Sequence, residues 1–233
     1  ASGQAHFGIS FQDLLGSAFA MDEPLDITAV AAVLQHNTSG IISRKGEGMD
    51  TPAGLENKKY STWNSPIELK MVEHLMKKSG ADYGKLELVP SVTNEAEALR
   101  NGDADAIWIY YGWAGIACEL AELDFDYFNM TDMEETFDYY TPVIVANNTF
   151  LEENPEKAKA FLRATEKGYR YAVENPEAAA AMLIKGDTTG SLIGSEALVT
   201  ESQKWMASQY IADSEKWGYI DAVRWNAFYK WLY

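Results

Sequence analysis

Short apolar runs alternate with stretches of helical periodicity along the 233 residues of this chain. The runs at 6–9, 27–34, 40–44, 59–62, 85–90, 106–110 and 143–147 have the length and residue types of strands. Between them lie helices with readable starts. Ser65-Pro66-Ile67-Glu68 has the form of a capping box with Pro in the first turn, and Leu69, Val72 and Met76 follow at helical spacing up to Gly80. Asn154-Pro155-Glu156 and Asn175-Pro176-Glu177 each place an N-cap residue, a Pro and an acid at the positive helix end. From the first of these, Ala158, Phe161, Leu162 and Thr165 fall on one face. Trp205, Trp217, Trp225 and Trp231 crowd the last part of the chain, which predicts a helical tail packed onto the body. The alternation predicts an α/β fold.

One pattern occurs twice. Ser2-Gly3-Gln4-Ala5-His6 and Asn101-Gly102-Asp103-Ala104-Asp105 both lead through Gly into a short apolar run. The echo predicts two similar α/β lobes, with a small ligand held between them near the carboxyl ends of their strands.

Charge narrows the function. Thirty-five acidic residues stand against 19 basic ones, a net charge of −16, and no Lys or Arg occurs between Asn101 and Glu156, where 13 acids fall. A nucleic-acid partner needs a basic stripe and is excluded. The acidic stretch itself reads as a solvated face. Cys118 is the sole cysteine, which rules out an intrachain disulfide, a redox pair and a cysteine zinc site. His6, His36 and His74 form no metal-binding pattern, and no nucleophile-elbow, phosphate-loop or dinucleotide motif is present. No apolar run reaches the ~18 residues of a membrane span. The residues therefore point to neither catalysis nor a cofactor or metal.

Loops at the predicted strand ends carry the remaining chemistry. They read Ser10-Phe11-Gln12-Asp13, Gln35-His36-Asn37-Thr38, Trp63-Asn64-Ser65 and Tyr110-Tyr111-Gly112-Trp113, rich in aromatics, amides and hydroxyls and without Lys or Arg. Aromatic faces stack on planar rings, while amides read ring nitrogens and amino groups. An anion would call for a guanidinium or ammonium instead. The expected ligand is a small neutral or weakly cationic heteroaromatic. Each loop also has a structural reading: Trp63 as a packing residue, one of Tyr110 and Tyr111 as core, His36 as a hydrogen-bonded structural group, and Asp13 and Glu68 as capping acids.

Lys58-Lys59-Tyr60-Ser61-Thr62-Trp63, Gln35-His36-Asn37-Thr38-Ser39-Gly40, Tyr110-Tyr111-Gly112-Trp113-Ala114-Gly115-Ile116 and Tyr139-Tyr140-Thr141-Pro142-Val143-Ile144 resemble the thiamine-precursor solute-binding proteins of ABC importers, the NMT1/THI5-like family. The segment from Phe150-Leu151-Glu152-Glu153-Asn154-Pro155 to Thr165 continues the likeness, as do Ser202-Gln203-Lys204-Trp205 and Trp217-Gly218. The resemblance implies the two-lobed type II periplasmic-binding fold, with lobe one from residues 1–50 plus 143–233 and lobe two from 51–142. It implies an extracytoplasmic receptor, periplasmic or lipid-anchored, that binds a thiamine-precursor pyrimidine or similar ring and delivers it to a permease. Ligand-binding positions fall on Gln35, Asn37, Trp63, Asn64, Tyr110, Tyr111 and Trp113.

Three departures from the family qualify this. The family reaches the equivalent of Ala1–Ala5 only after a first strand–helix–strand unit, so lobe one is expected to be incomplete here, with an exposed edge open to self-association. An acid expected after the Tyr-Tyr-x-Trp stretch is replaced by Ala114, which leaves Glu68 as the candidate for its part. The related pyrimidine synthases carry a cysteine-rich motif where this chain reads Thr136-Phe137-Asp138-Tyr139-Tyr140, and an active-site His where Phe11–Leu15 has none. The expectation is a binding protein, not an enzyme; the alternative is a truncated or repurposed family member that binds no small molecule.

Overall fold

The computed structural model describes residues 4–233, and these divide into two compact units, 1–37 with 138–233 and 38–137. The strands are β1 (Phe7–Ser10), β2 (Ile27–Ala32), β3 (Ser39–Arg44), β4 (Lys59–Thr62), β5 (Glu87–Pro90), β6 (Ala106–Tyr110), β7 (Phe125–Asn129) and β8 (Val143–Asn147). The helices are α1 (Gln12–Phe19), α2 (Pro66–Lys78), α3 (Glu95–Asn101), α4 (Ile116–Leu120), α5 (Met130–Met133), α6 (Asn148–Glu153), α7 (Pro155–Glu174), α8 (Pro176–Gly186), α9 (Glu196–Ala207) and α10 (Ala222–Leu232).

In the first unit, β8 is flanked antiparallel by β1 and β2. Val143 and Val145 pack with Leu15 of α1 and Tyr140. Ile144 faces a second cluster with Val33, Leu34, Tyr210 and Trp217. The C-terminal tryptophans do pack onto this body: Trp217 is buried, stacks on Tyr169 at 4.6 Å, and donates its indole N–H to the Val33 carbonyl at 3.2 Å. Asn154 and Asn175 do stand at the N-caps of α7 and α8, but neither side chain bonds a helix N–H. Of the paired Gly patterns, Gly102 ends α3 in the left-handed conformation (φ 73°), which glycine adopts without steric cost; its counterpart Gly3 lies outside the described residues.

The second unit holds a five-stranded sheet in the order β5-β4-β6-β3-β7. β4, β5 and β6 run parallel, and β3 pairs antiparallel with both β6 and β7. Residues 38–50, grouped by sequence with the first lobe, thus contribute β3, whose two partners both lie in the second unit. Gly40 is required there: a Cβ would sit 2.3 Å from the Phe128 carbonyl oxygen and 2.5 Å from the Tyr127 ring. One sheet face is closed by Ile107, Ile109, Leu99 and Cys118. β7 escaped the sequence pattern because its residues, Phe-Asp-Tyr-Phe-Asn, are half-buried without clean alternation.

α2 starts where its cap predicts. The Glu68 carboxylate accepts the Ser65 N–H at 3.3 Å, closing the capping box, and Val72 and Met76 point into the core. Between β6 and α4 the chain takes one wide π-helical turn, Tyr111–Gly115. Such turns are uncommon and often mark functional positions.

Candidate functional site

Three parallel strands of the second unit end on the same side of the sheet, and their carboxyl ends form an aromatic recess of about 160 Å³. β4 contributes Ser61 and, just past its end, Trp63. The chain after β5 contributes Ser91 and Val92. β6 and the turn after it contribute Trp108, Tyr110, Trp113 and Ala114, and Glu95 at the start of α3 completes the wall. Carboxyl ends of parallel strands are where α/β sheets bind ligands, because loops there diverge and leave a crevice.

Alternation along the strands sets the wall. Trp108 and Tyr110 are two residues apart on β6 and share a face, as do Ser61 and Trp63 along β4. The Trp63 and Tyr110 rings are parallel within 11° with centroids 6.3 Å apart, and Trp63 lies 6.0 Å from the Trp108 ring at 44°. Trp63 is 50% exposed and Trp113 47% exposed, which for indoles is unfavourable unless something covers them. No Lys or Arg lines the recess.

Two polar groups in this wall are not engaged. The Trp108 indole N–H is buried and has no acceptor among the described residues. No hydrogen bond or ion pair of the Glu95 side chain occurs among the described residues either. Sequence reading passed over both. The loop following the predicted strand at 85–90 would have marked Ser91–Glu95 by the same strand-end rule, whereas Trp108, mid-strand, carries no sequence signal beyond its type.

The remaining sequence-marked residues lie elsewhere. Asn64 is exposed and adopts the left-handed conformation (φ 59°), its N–H donating to Thr62 Oγ1 at 2.8 Å. Glu68 is 4% exposed and accepts the Tyr60 hydroxyl at 2.8 Å, the Trp63 N–H at 3.1 Å and the Ser65 N–H. Its oxygens are occupied in folding the Trp63–Ser65 loop, so it acts as a capping acid. Burial, reinforced by the Glu68 charge, pushes the Tyr60 hydroxyl up, which keeps it a donor. Tyr111 does not line the recess. Its hydroxyl donates to Glu119 and its ring meets Tyr127 edge-on at 5.0 Å; burial and then Glu119 raise its pKa.

Gln35 and Asn37 belong to the first unit. Gln35 is 2% exposed, donates Nε2–H to the Tyr219 carbonyl at 3.1 Å, and lines a cavity of about 600 Å³ with Tyr140, Tyr219, Asp221 and Arg224. The Asn37 N–H donates to Asp138 Oδ1 at 2.9 Å. The same carboxylate meets His36 Nδ1 at 2.7 Å and accepts from Arg224 at 2.9 Å, while Arg224 also donates to the Gln35 carbonyl at 2.5 Å and lies over the Tyr140 ring. Asp138 thereby ties together both chain crossings of the first unit, residues 35–37 and 138. The His36 ring also contacts Asp213 at 2.9 Å. Burial works against its charged form, but the bonds to Asp138 and Asp213 outweigh it and raise its pKa above 6.5.

Comparison with known proteins follows this architecture. A ligand-binding component of an ABC-type import system from Staphylococcus aureus, solved with zinc bound, matches with a TM-score of 0.65 at 16% identity, over 97% of this chain and 72% of its own. The desulfurization enzyme DSZB matches with a TM-score of 0.62 at 12% identity, over 98% of this chain and 80% of its own. The fold is α/β, of the type II periplasmic-binding class. The profile of the family described as NMT1/THI5 like matches residues 1–179, and the chain belongs to that family. Formylaminopyrimidine-binding protein of Halalkalibacterium halodurans is 25% identical over all of this chain and 70% of its own length.

Proposed function

We propose that this protein is the extracytoplasmic solute-binding component of an ABC importer and that it binds a small, neutral or weakly cationic heteroaromatic ring, a thiamine-precursor pyrimidine or a close analogue. The observation that carries this reading is the aromatic recess at the carboxyl ends of β4, β5 and β6. Its walls are indole and phenol faces, it holds no cation, and its volume of about 160 Å³ is close to the ~150 Å³ cavity that accepts a benzene-sized ring. One six-membered ring fits; a three-ring flavin does not. A ring between Trp63 and Tyr110 needs roughly 7 Å between the flanking planes, two contacts of about 3.5 Å. The 6.3 Å centroid separation is an upper limit on the gap between the two planes, so the half-exposed Trp63 would move outward to admit the ring.

The relative that binds formylaminopyrimidine supports this ligand class, and the importer component of like fold supports a permease partner. No described helix is long and apolar enough to cross a membrane. An enzyme reading is prompted by the structural neighbour DSZB. Against it stands Cys118, which is buried, with its thiol pushed up to about 12 by burial first and Glu95 second. Thiolate is the reactive form, so this cysteine is a poor nucleophile.

Calorimetric titration with formylaminopyrimidine and with riboflavin tests the proposal. Formylaminopyrimidine should bind and riboflavin should not. Failure of the wild-type protein to bind formylaminopyrimidine or any single-ring azine would end this reading.

A further inference from the structure

The recess holds a carboxylate acceptor and a buried indole donor that have no partner among the described residues. The Glu95 carboxylate lines it and none of its bonds is to a described residue. The Trp108 N–H, in the same wall, is buried without an acceptor. An unpaired buried donor is costly, and native proteins rarely retain one without reason. Beside the Trp63 and Tyr110–Trp113 loops, Glu68 is committed to the α2 cap and Glu119 to the Tyr111 hydroxyl. We propose that Glu95 and Trp108 select the ring. Resting on the ligand site proposed above, the Glu95 carboxylate accepts from an exocyclic amino group while the Trp108 indole donates to a ring nitrogen.

That pairing needs a donor and an acceptor on one ring, the signature of an amino-substituted azine. A ring with the nitrogen but no amino group leaves the Glu95 carboxylate desolvated and unpaired. An oxo group in place of the amine sets an acceptor against a carboxylate. Both should be rejected, whereas stacking alone would accept all three. Trp63, tilted at 44° against Trp108 and half exposed, is the wall that would move into solvent to admit the ring.

Affinities of the intact protein for formylaminopyrimidine, for its analogue lacking the ring amino group, and for its oxo analogue test this. The wild-type protein should prefer the amino ring by about tenfold or more, as expected for a hydrogen bond to a charged group. Glu95→Gln should abolish most of that preference, weakening the amino ring and tightening the deamino analogue, because no unpaired charge is then desolvated. Glu95 is only partly buried, so this variant should fold, and Trp fluorescence and thermal melts check that it has. Trp108→Phe, if it folds, should weaken every ring that carries the nitrogen. An unchanged amino preference in Glu95→Gln, or equal wild-type binding of all three rings, overturns the proposal and leaves the ring-binding reading intact. Failure of the wild type to bind any of the three overturns both.

Discussion

In the first unit's cavity Arg224 donates to Asp138 and to the Gln35 carbonyl, and Gln35 donates to Tyr219. Of its polar wall, the Arg224 Nε–H is buried without a partner among the described residues. In the second unit's recess the relation is reversed. The polar groups there, Glu95 and the Trp108 N–H, are idle, and its aromatic faces stand half in water. The larger cavity thus has most of its buried wall bonded to itself, while the smaller one keeps a buried indole donor without a partner among the described residues. Size alone would have chosen the first. A ligand gains free energy from groups that are unsatisfied without it, because replacing an existing internal hydrogen bond gains little. This contrast is what favours the second as the proposed ligand site and the bonded wall of the first as a structural latch.

Removing the latch should have the largest effect. Asp138→Ala leaves His36, the Asn37 N–H and Arg224 without their shared acceptor. The group is mostly but not wholly buried, so the cost should be about 2–3 kcal/mol, below the range for fully buried pairs. In a protein of this size that lowers the melting temperature by roughly 4–12 °C. A melt within a degree of wild type would show that the latch contributes nothing.

Trp63→Ala should do the opposite. Ring affinity should fall at least tenfold, about 1.4 kcal/mol, from lost stacking and burial, while the melt hardly moves because the indole is half exposed. Unchanged affinity for formylaminopyrimidine would remove Trp63 from the site.

A smaller effect separates conformation from contact at Asn64. Its positive φ makes Asn64→Ala cost about 1 kcal/mol, whereas Asn64→Gly should be nearly neutral in stability. If the amide also touches the ring, both variants lose affinity alike; if affinity tracks stability instead, Asn64 only shapes the Trp63 turn.

The smallest expected effect is a pH dependence confined to the latch. The folded pKa of His36 lies above 6.5. Its ion pairs with Asp138 and Asp213, offset by Arg224 nearby, therefore contribute fully below about pH 6.5. They are lost as the pH rises through the folded value. The ring is more than a third exposed, so solvent screens the gain and the slope should be shallow. His36→Gln should flatten the melting temperature between pH 6 and 8.5. A wild-type profile already flat over that range would count against a charged latch.

Much of the architecture was legible in the residues. β4, β6 and β8 begin and end where the apolar runs do, and the Ser65–Glu68 cap announces α2, since both signals are local. The aromatic loops after β4 and β6 were marked by composition at strand ends, and two of the four strand-end loops do meet, bringing Trp63, Tyr110 and Trp113 to one recess. β7 was not legible, because it earns its place through pairing with β3 and not through its own pattern.

The sequence by itself determined the α/β class, the net acidic charge, and the aromatic, cation-free character of the loops; these depend on residue type and short-range periodicity. Tertiary structure alone decided that Glu68 is consumed by its own cap, that Gln35 and Asn37 lie in a different unit from Trp63, Trp108 and Trp113, and that Glu95 and the Trp108 N–H have no partner among the described residues. Whether a polar group is free depends on partners many residues away, 46 for the Asp105 carboxylate that accepts the Lys59 N–H and 86 for Asp138 with Arg224. Such partners are assigned only when the sheet brings distant segments together.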